Sequence, residues 1–554
     1  MRVDLWRQLA GALSRAGAPG RESKPRLQAT NGSDPSQVWS IHKAAAPALL
    51  VLLALPALPQ QAVPPASQAA HLPLSGRAPQ AGTVNATQAS TPGAGVNTLN
   101  PSVSASGAFA GSSPAPASRP FSGQLSLADA INRGLAYNLG AGQWSNTVSQ
   151  AQGEERVARS ALLPNLSGSL AETSQQTDLK AMGFRLNLPT SGIAAGLSFP
   201  SVVGPFSYMQ LQASLSQSLL DFTALNNYRA SQQSLRASQL EFKDARDLVV
   251  LGVGGAYLGV IAAQARLASA RAELETANAI LNQSQQRQSV GALPKLTVDQ
   301  NQVQAAIQQL QLTTLSNDLA KQKINLARMI GLPPDGNFQL SDAVPFAPPP
   351  PLTLQAALAR ALEQRADLQA AAAQAEAARA ALAAARDGRL PSAIFSGNYG
   401  VIGTTPWTSS HGVYSVTGTL RIPIWLGGKV GGDEQQAHAV LAQRQAEVAD
   451  TRSQIEAQVR DAFLDLGAAA SQVVVAQNNL KVAHEAQQMT QDRFQAGVIN
   501  TVELIQAQQA VATAEQDYIN SVYAHNLAKL TLARSVGDAP ASWSRFLATS
   551  PAHR

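Results

Sequence analysis

The chain has 554 residues, a formal net charge of +6 and no cysteine. The lack of cysteine excludes disulfides, cysteine-ligated zinc, thiol catalysis and lipid attachment through an N-terminal cysteine. Residues 1–43 carry seven Lys/Arg and three Asp/Glu, so they hold +4 of the charge and leave +2 for the remaining chain. A nearly neutral body without a basic stripe binds nucleic acid poorly, so no nucleic acid is expected as a partner.

The first 120 residues predict a targeting segment followed by a linker. The apolar run 44–58 is interrupted by Pro47 and Pro56 and is too short for a bilayer, which needs about 20 apolar residues. With a lysine before it and small residues after it, the run predicts a signal peptide over 1–62 with a long n-region; the alternative is a buried core helix. Residues 63–120 are almost wholly Ala, Ser, Pro, Gly, Gln, Thr and Asn, a composition that predicts a disordered linker.

The most informative feature of the remaining chain is an internal repeat. Residues 246–331 align with residues 452–537 over 86 positions without a gap, at a constant offset of 206. Both copies contain an Arg-x-x-x-Gly motif, at 287–291 and at 493–497, followed by a helix pattern rich in Leu, Gln and Ala. An ungapped repeat of this length indicates one structural unit duplicated within the chain.

The segments that precede the two copies also match each other, at an offset of 227. Each half therefore predicts the same order of elements: an opening helix, a strand, a loop, a strand, a long helix, a turn and a return helix. Proline-rich sequence separates the halves. The predicted domains are a first repeat, an inter-repeat linker, a second repeat and a tail, at 121–331, 332–351, 352–537 and 538–554.

Alternating apolar and small polar residues predict two strands before each long helix. The clearest runs are 209–216 and 414–422, and shorter runs lie at 166–170 and 393–399. One apolar face and one small polar face suit a barrel wall between lipid and water, whereas the alternative is a half-buried soluble strand. Four strands cannot close a transmembrane barrel, so several chains must share one barrel if these strands cross a membrane.

Apolar residues spaced seven apart predict long coiled-coil helices in both repeats. In the first repeat they are Val253, Val260, Leu267, Leu274 and Leu281, each of the first four followed three positions later by alanine, and the second repeat has the same pattern from Val459 to Leu480. An ordinary amphipathic helix, the alternative, follows a period of 3.6. A helix from about 222 to 289 would be about 100 Å long at ~1.5 Å per residue. Gly291 and Gly497 predict the turns of two helical hairpins, and both are expected in a left-handed conformation that costs little only for glycine.

This layout resembles the TolC-type outer-membrane efflux protein family, the outer membrane factors, over about residues 121–540. The resemblance rests on the repeated Arg-x-x-x-Gly hairpin and its downstream helix. It implies an α+β membrane protein of the cell outer membrane: a homotrimer in which four strands per chain build one shared β-barrel within the outer-membrane lipid, above an internally duplicated coiled-coil tunnel crossing the periplasm.

The resemblance also implies a function. Such a protein is the exit duct of a tripartite efflux or type I secretion system, joined to an inner-membrane transporter through a periplasmic adaptor. The alternative is a periplasmic coiled-coil adaptor or a structural filament without a channel. An adaptor needs no membrane-facing strands, and its helical hairpin occurs once in the chain.

Two sets of functional residues follow from the resemblance. The hairpin tips would dock the adaptor, at Arg287, Gly291, Arg493 and Gly497. Acidic residues past the second tip would constrict the pore, which places Glu503 in the constriction and Gln506 where a second acid is expected. In the first hairpin Thr297 takes the place equivalent to Glu503, and Asp299 lies two residues further on.

No catalytic, cofactor or metal site is predicted, so an enzyme is not expected. The seven histidines form no His-x-x-x-His pair and no cluster with carboxylates at ligand spacing. His438, His484 and His525 are instead expected to be polar residues on helix surfaces. The glycines at 252, 254 and 255 resemble a dinucleotide-binding loop, but they lie inside the heptad helix rather than after a strand. They predict close helix packing instead.

Overall fold

The structure is a computed structural model. It describes residues 82–91, 98–113, 123–183, 200–335, 338–348, 351–404, 411–496, 498–499, 501–537, 539–547 and 550–551. The predicted signal peptide and the first part of the predicted linker lie outside these residues.

The described residues contain nine α-helices and ten strands. The helices are α1 Leu127–Tyr137, α2 Leu139–Ser160, α3 Phe222–Ser289, α4 Lys295–Ile330, α5 Leu354–Gln364, α6 Ala366–Asp387, α7 Lys429–Gln495, α8 Thr501–Val536 and α9 Ala539–Phe546. The strands are β1 Val84–Thr91, β2 Thr98–Ala105, β3 Gln124–Leu125, β4 Asn165–Asp178, β5 Val202–Leu220, β6 Gln339–Leu340, β7 Asp342–Ala343, β8 Ser392–Gly403, β9 His411–Arg421 and β10 Ser550–Pro551.

Two long helical hairpins dominate the molecule, as the heptads predicted. The outgoing helices α3 and α7 have 68 and 67 residues, and the return helices α4 and α8 have 36 each. The predicted heptad residues Val253, Val260 and Val459 are fully buried. One apolar stretch of α3 has the length and composition to cross a membrane, but 67% of it is buried within the chain. This stretch is therefore the core of the helix packing.

The opening helix predicted in each half is two helices in the structure. The breaks fall at Asn138 and Arg365, which are 227 positions apart and 2% exposed. Asn138 donates hydrogen bonds to the carbonyls of Phe109 (2.9 Å) and Met329 (3.2 Å). Each break is fixed by a buried polar side chain, and these tertiary contacts leave no mark in the helical periodicity.

Arg365 is the corresponding anchor of the second half. Its guanidinium donates to Asp367 at 2.5 and 3.1 Å and to Gln458 Oε1 at 2.6 Å. Burial by itself would raise the pKa of Asp367, but the hydrogen bonds and the charge of Arg365, together with Arg534, outweigh burial and lower the pKa. The buried cation therefore keeps its counterion charged, as a buried ion pair requires.

The four predicted strands form one antiparallel sheet in the order β4-β5-β8-β9. Leu211 in β5 stands opposite Leu170 in β4 and Val401 in β8. Strands β4, β5 and β8 are longer than the alternating runs that predicted them, and β9 begins three residues earlier than its run. Among the described strands β4 and β9 each pair on one side only, so the sheet has two open edges.

The prediction of a disordered linker over 63–120 is wrong for its described part. Strands β1 and β2 form an antiparallel hairpin, and a short 3-10 turn follows at Gly107–Ala110. The glycines of α3 supply the reason: a Cβ at Gly255 would lie 2.4 Å from Val103 Cγ2. Val103 and Val84 pack into the shallow groove that Gly252 and Gly255 leave open. The predicted close helix packing is confirmed at Gly254, where a Cβ would lie 2.9 Å from Leu530 Cδ1 on α8.

The inter-repeat linker and the tail add short strand pairs to the same core. Strand β6 pairs with β3 in parallel, and β7 pairs with β10. The tail begins with α9, whose Ala539 amide donates to Asp247 Oδ1 on α3 at 3.0 Å. Asn526 on α8 donates to the Val344 carbonyl at 3.0 Å, which holds the linker against the second hairpin.

Candidate functional site

The first hairpin tip ends in a glycine-terminated helix cap. The Ala292 amide donates to the Arg287 carbonyl and the Gly291 amide to the Gln288 carbonyl, both at 2.8 Å. These two bonds form a Schellman motif, which needs a left-handed residue at its end. Gly291 has φ +74°, so the prediction of a left-handed glycine at this tip is confirmed.

The second tip repeats part of this pattern. The Val498 amide donates to the Arg493 carbonyl at 3.0 Å, at the position that corresponds to Ala292 and Arg287 in the first tip. Arg493 is exposed. The prediction for Gly497 lies outside the described residues.

The structure brings the two tips into contact. The Arg287 guanidinium lies 5.9 Å from the centroid of the Phe494 ring, a distance at which a cation is attracted to an aromatic face. Phe494 is 8% exposed, although it lies at the end of a long helix. Phe494 was not among the predicted tip residues. It could have been singled out by the repeat, because the corresponding residue of the first copy is the polar Gln288.

The four predicted constriction residues all lie near the beginning of a return helix. Glu503 is in the first turn of α8 and Gln506 follows three positions later; both are exposed. On α4, Thr297 is half-buried and Asp299 is exposed. The N-terminus of α8 carries partial positive charge, so an acidic side chain in its first turn stabilises the helix.

Side chains from both hairpins also meet along the line where α3 packs against α8, here called the seam. Arg266 donates to Asn520 Oδ1 at 2.5 and 3.2 Å, and Tyr523 donates to the Gly255 carbonyl at 3.4 Å. Nearer the tips, Ser269 on α3 donates to Glu515 on α8. None of these contacts was predicted. They join residues about 250 positions apart, and neither heptad pattern includes them.

A buried basic pair lies where α8 packs against the inter-repeat linker. His525 is fully buried against Phe346, with ring centroids 4.8 Å apart, and Lys529 is 1% exposed and donates to the Ala347 carbonyl. Burial, and then the charge of Lys529, lower the pKa of His525 to about 4, while Asn526 works in the opposite direction. Burial lowers the pKa of Lys529 to about 8. The prediction that His525 lies on the helix surface is therefore wrong.

Known proteins share this architecture. The pyoverdine export outer membrane protein OpmQ of Pseudomonas aeruginosa is 26% identical over 423 residues, which cover 75% of this chain and 85% of OpmQ. The outer membrane protein VceC of Vibrio cholerae has a TM-score of 0.63 at 19% identity, covering 74% of this chain and 96% of VceC. The CmeC outer membrane channel of Campylobacter jejuni has a TM-score of 0.63 at 17% identity, covering 76% of this chain and 88% of CmeC.

The family model described as outer membrane efflux protein matches residues 139–332 and 357–538, which are more than half of the chain. The two matched segments follow the duplication, one in each half. The chain therefore belongs to the outer membrane efflux protein family, and its place is the outer membrane.

Proposed function

We propose that three copies of this chain form one outer-membrane channel, which is the exit duct of a tripartite efflux or type I secretion system. The observation that carries this proposal is the sheet with two open edges, attached to helices about 100 Å long (at ~1.5 Å per residue). Open edges are not tolerated in lipid, so β9 of one copy must pair with β4 of the next until the ring closes. Three copies give twelve strands, an even number within the range of such barrels.

The helices support the same ring. Besides its own return helix α4, helix α3 packs against both α2 and α6, whereas α7 packs against α6 and its own return helix α8. The beginning of α3 is bonded to the end of α6: Asn226 donates to Asp387 at 2.6 Å. The duplication makes α7 the counterpart of α3 and α2 the counterpart of α6. We therefore place α2 of a second copy against the beginning of α7.

The side chains of β9 fit a wall that faces lipid on one side. Tyr414, Val416 and Leu420 alternate with small polar residues and are 79%, 65% and 62% exposed. Ile424 and Trp425, immediately after this strand, are 95% and 86% exposed. Aromatic residues at the ends of barrel strands suit the membrane interface.

Within this channel the tips dock the adaptor and the first turns of α4 and α8 line the constriction. The docking residues are Arg287, Gly291, Arg493 and Gly497, and the constriction residues are Glu503, Gln506, Thr297 and Asp299. The contact between Arg287 and Phe494 supports a shared docking surface, because it holds one tip against the other.

Membrane fractionation tests the channel directly. The full chain should be found in the outer membrane, and a band of about three times the 57.8 kDa chain mass should collapse to one chain after boiling in detergent. A soluble periplasmic protein of one chain would overturn the proposal and favour the adaptor or filament alternative.

Gly291→Val should weaken export while leaving the trimer intact. A β-branched residue at φ +74° is strained, by about 1–2 kcal/mol, so the Schellman turn will distort. The measurement is export from cells that carry the cognate transporter and adaptor, together with the heat-modifiable band. Ala292→Val is the matched control, since Ala292 is also exposed and a residue with a Cβ already occupies that position. Full export with the Gly291 variant would show that the first tip does not dock the adaptor.

A further inference from the structure

A small polar cavity interrupts the packing of the two hairpins. It has a volume of about 170 Å³ and is lined by residues of all four long helices, α3, α4, α7 and α8. The residues that carry the argument are Ser269 and Glu273 on α3, Gln308 on α4, His484 on α7 and Glu515 on α8. At the positions 206 away, Ser269, Glu273 and Gln308 are replaced by Val475, Asn479 and Ala514. The cavity therefore belongs to this one seam and is not a repeated packing feature.

Two carboxylates in the cavity share a single hydroxyl proton. The Ser269 hydroxyl lies 3.1 Å from Glu273 Oε1 and is also in contact with Glu515 Oε2. One hydroxyl donates one proton, so it cannot satisfy both carboxylates at once. Burial raises the pKa of Glu273; the Ser269 hydrogen bond opposes this, and the charge of Glu515 adds to it. A positive charge between the two carboxylates would stabilise both of them.

Two further acceptors of the cavity lack a hydrogen-bond donor. Glu273 Oε2 and Gln308 Oε1 are buried and have no hydrogen-bond partner among the described residues. Gln308 as a whole is 7% exposed, so bulk solvent does not reach it freely. Buried acceptors without donors are destabilising, by about 1–3 kcal/mol each. A cation in the cavity would satisfy the carboxylate and the amide carbonyl together.

We propose that this cavity binds one divalent cation of the Mg²⁺ or Ca²⁺ type, which keeps part of its hydration shell and bridges Glu273 on α3 to Glu515 on α8. Oxygen ligands suit these ions, and Mg²⁺ is commonly bound through one or two carboxylates while it retains several waters. Because the described residues hold no group of three His, Cys, Asp or Glu that could hold a metal ion, the proposed ion would take its remaining ligands from Gln308 and water. A water occupies roughly 30 Å³, so the cavity has room for an ion and a few waters.

The bound ion would connect the two hairpins from within one chain. His484 Nε2 lies 3.6 Å from Glu515 Oε1, so α7 is tied to the same carboxylate. The site lies several helical turns away from the tips on both α3 and α8, and it does not include Glu503. It does not require the channel proposal, because binding is measured on the purified chain.

Binding of Mn²⁺ to the full-length protein in detergent tests the site. Mn²⁺ has an electron paramagnetic resonance signal that bound ions lose, and Mg²⁺ and Ca²⁺ serve as competitors. After EDTA treatment, wild-type protein at neutral pH should bind one Mn²⁺ per chain, and both competitors should displace it. Glu273→Gln and Glu515→Gln should each weaken binding at least tenfold. Glu485→Gln, at a surface carboxylate 61% exposed, is the matched control and should bind as the wild type does.

The stoichiometry separates this site from the proposed pore constriction. A ring of Glu503 side chains on the axis of a trimer would bind about one ion per three chains and would lose it in Glu503→Gln. Failure to bind one ion per chain in the wild type overturns the seam site, and so does binding that only Glu503→Gln removes. If either carboxylate variant fails to fold, Gln308→Leu decides: it removes the neutral amide and leaves both carboxylates, and unchanged affinity in this variant overturns the site.

Discussion

Replacing Glu503 with alanine is expected to remove the block of the channel by divalent and trivalent cations. Glu503 is exposed in the first turn of α8, and no other acidic residue lies between Gly497 and Glu515. Three copies around the axis of the proposed trimer would bring three carboxylates together. Converging carboxylates supply the oxygen ligands that multivalent cations prefer, so the wild-type channel should have low resting conductance and be blocked at about millimolar concentrations or lower.

The measurement is single-channel conductance of purified trimer in a planar bilayer, with the cation added from the periplasmic side. Gln506→Ala is the neutral control one turn along the same helix and should leave the block almost unchanged. The trimer should form in both variants, because the buried heptad residues Val459 and Leu466 of α7 are untouched. Equal block in wild type and Glu503→Ala would place the constriction elsewhere, with Asp299 as the next candidate. Glu515→Gln should retain the block, which separates the pore from the cavity between the hairpins.

Replacing His525 with leucine is expected to reduce the loss of folding stability that the protein undergoes as the pH falls. The pKa of His525 is lowered from 6.5 to about 4 in the fold. Between these two pH values the unfolded chain binds a proton at this residue and the folded chain does not, so stability falls as the pH falls. The free energy of unfolding that this one residue removes is up to roughly 3 kcal/mol. Leucine cannot be protonated and leaves no unpaired nitrogen in the core.

The measurement is the thermal unfolding midpoint by circular dichroism across pH 4–7, for wild type and variant in parallel. Asp247 acts in the opposite direction over much of this range. Burial raises its pKa from 3.8 to about 6 against the opposing charge of Arg534, so the folded chain holds a proton that the unfolded chain releases. Comparing wild type with variant cancels that contribution. His438→Gln, at an exposed histidine, is the control and should give the wild-type slope. Parallel curves for wild type and His525→Leu would contradict the expectation.

The long-helix and strand predictions succeeded because their signals are local. The heptads at Val253 and Val459 specify helices whatever surrounds them, and the alternation from Met209 to Ser216 specifies a strand in the same way. Gly291 also follows from local geometry, since a Schellman turn needs a left-handed residue. The breaks at Asn138 and Arg365 were missed, because the groups that these side chains bond lie far away in the chain.

The sequence by itself determined the duplication, the two hairpins and the four strands. The duplication appears as an internal repeat, and the helices and strands follow from the periodic spacing of apolar residues that are close in the chain. Only the tertiary structure decided what the hairpins pack against. The strand pair at 84–105 is ordered because glycines 150 positions away leave a groove for Val103, and Phe494 is buried because the other tip lies beside it. The polar cavity between Glu273 and Glu515 exists because two helices from different halves meet there. Contacts of this kind depend on pairs of distant residues, and a pattern within one segment does not contain them.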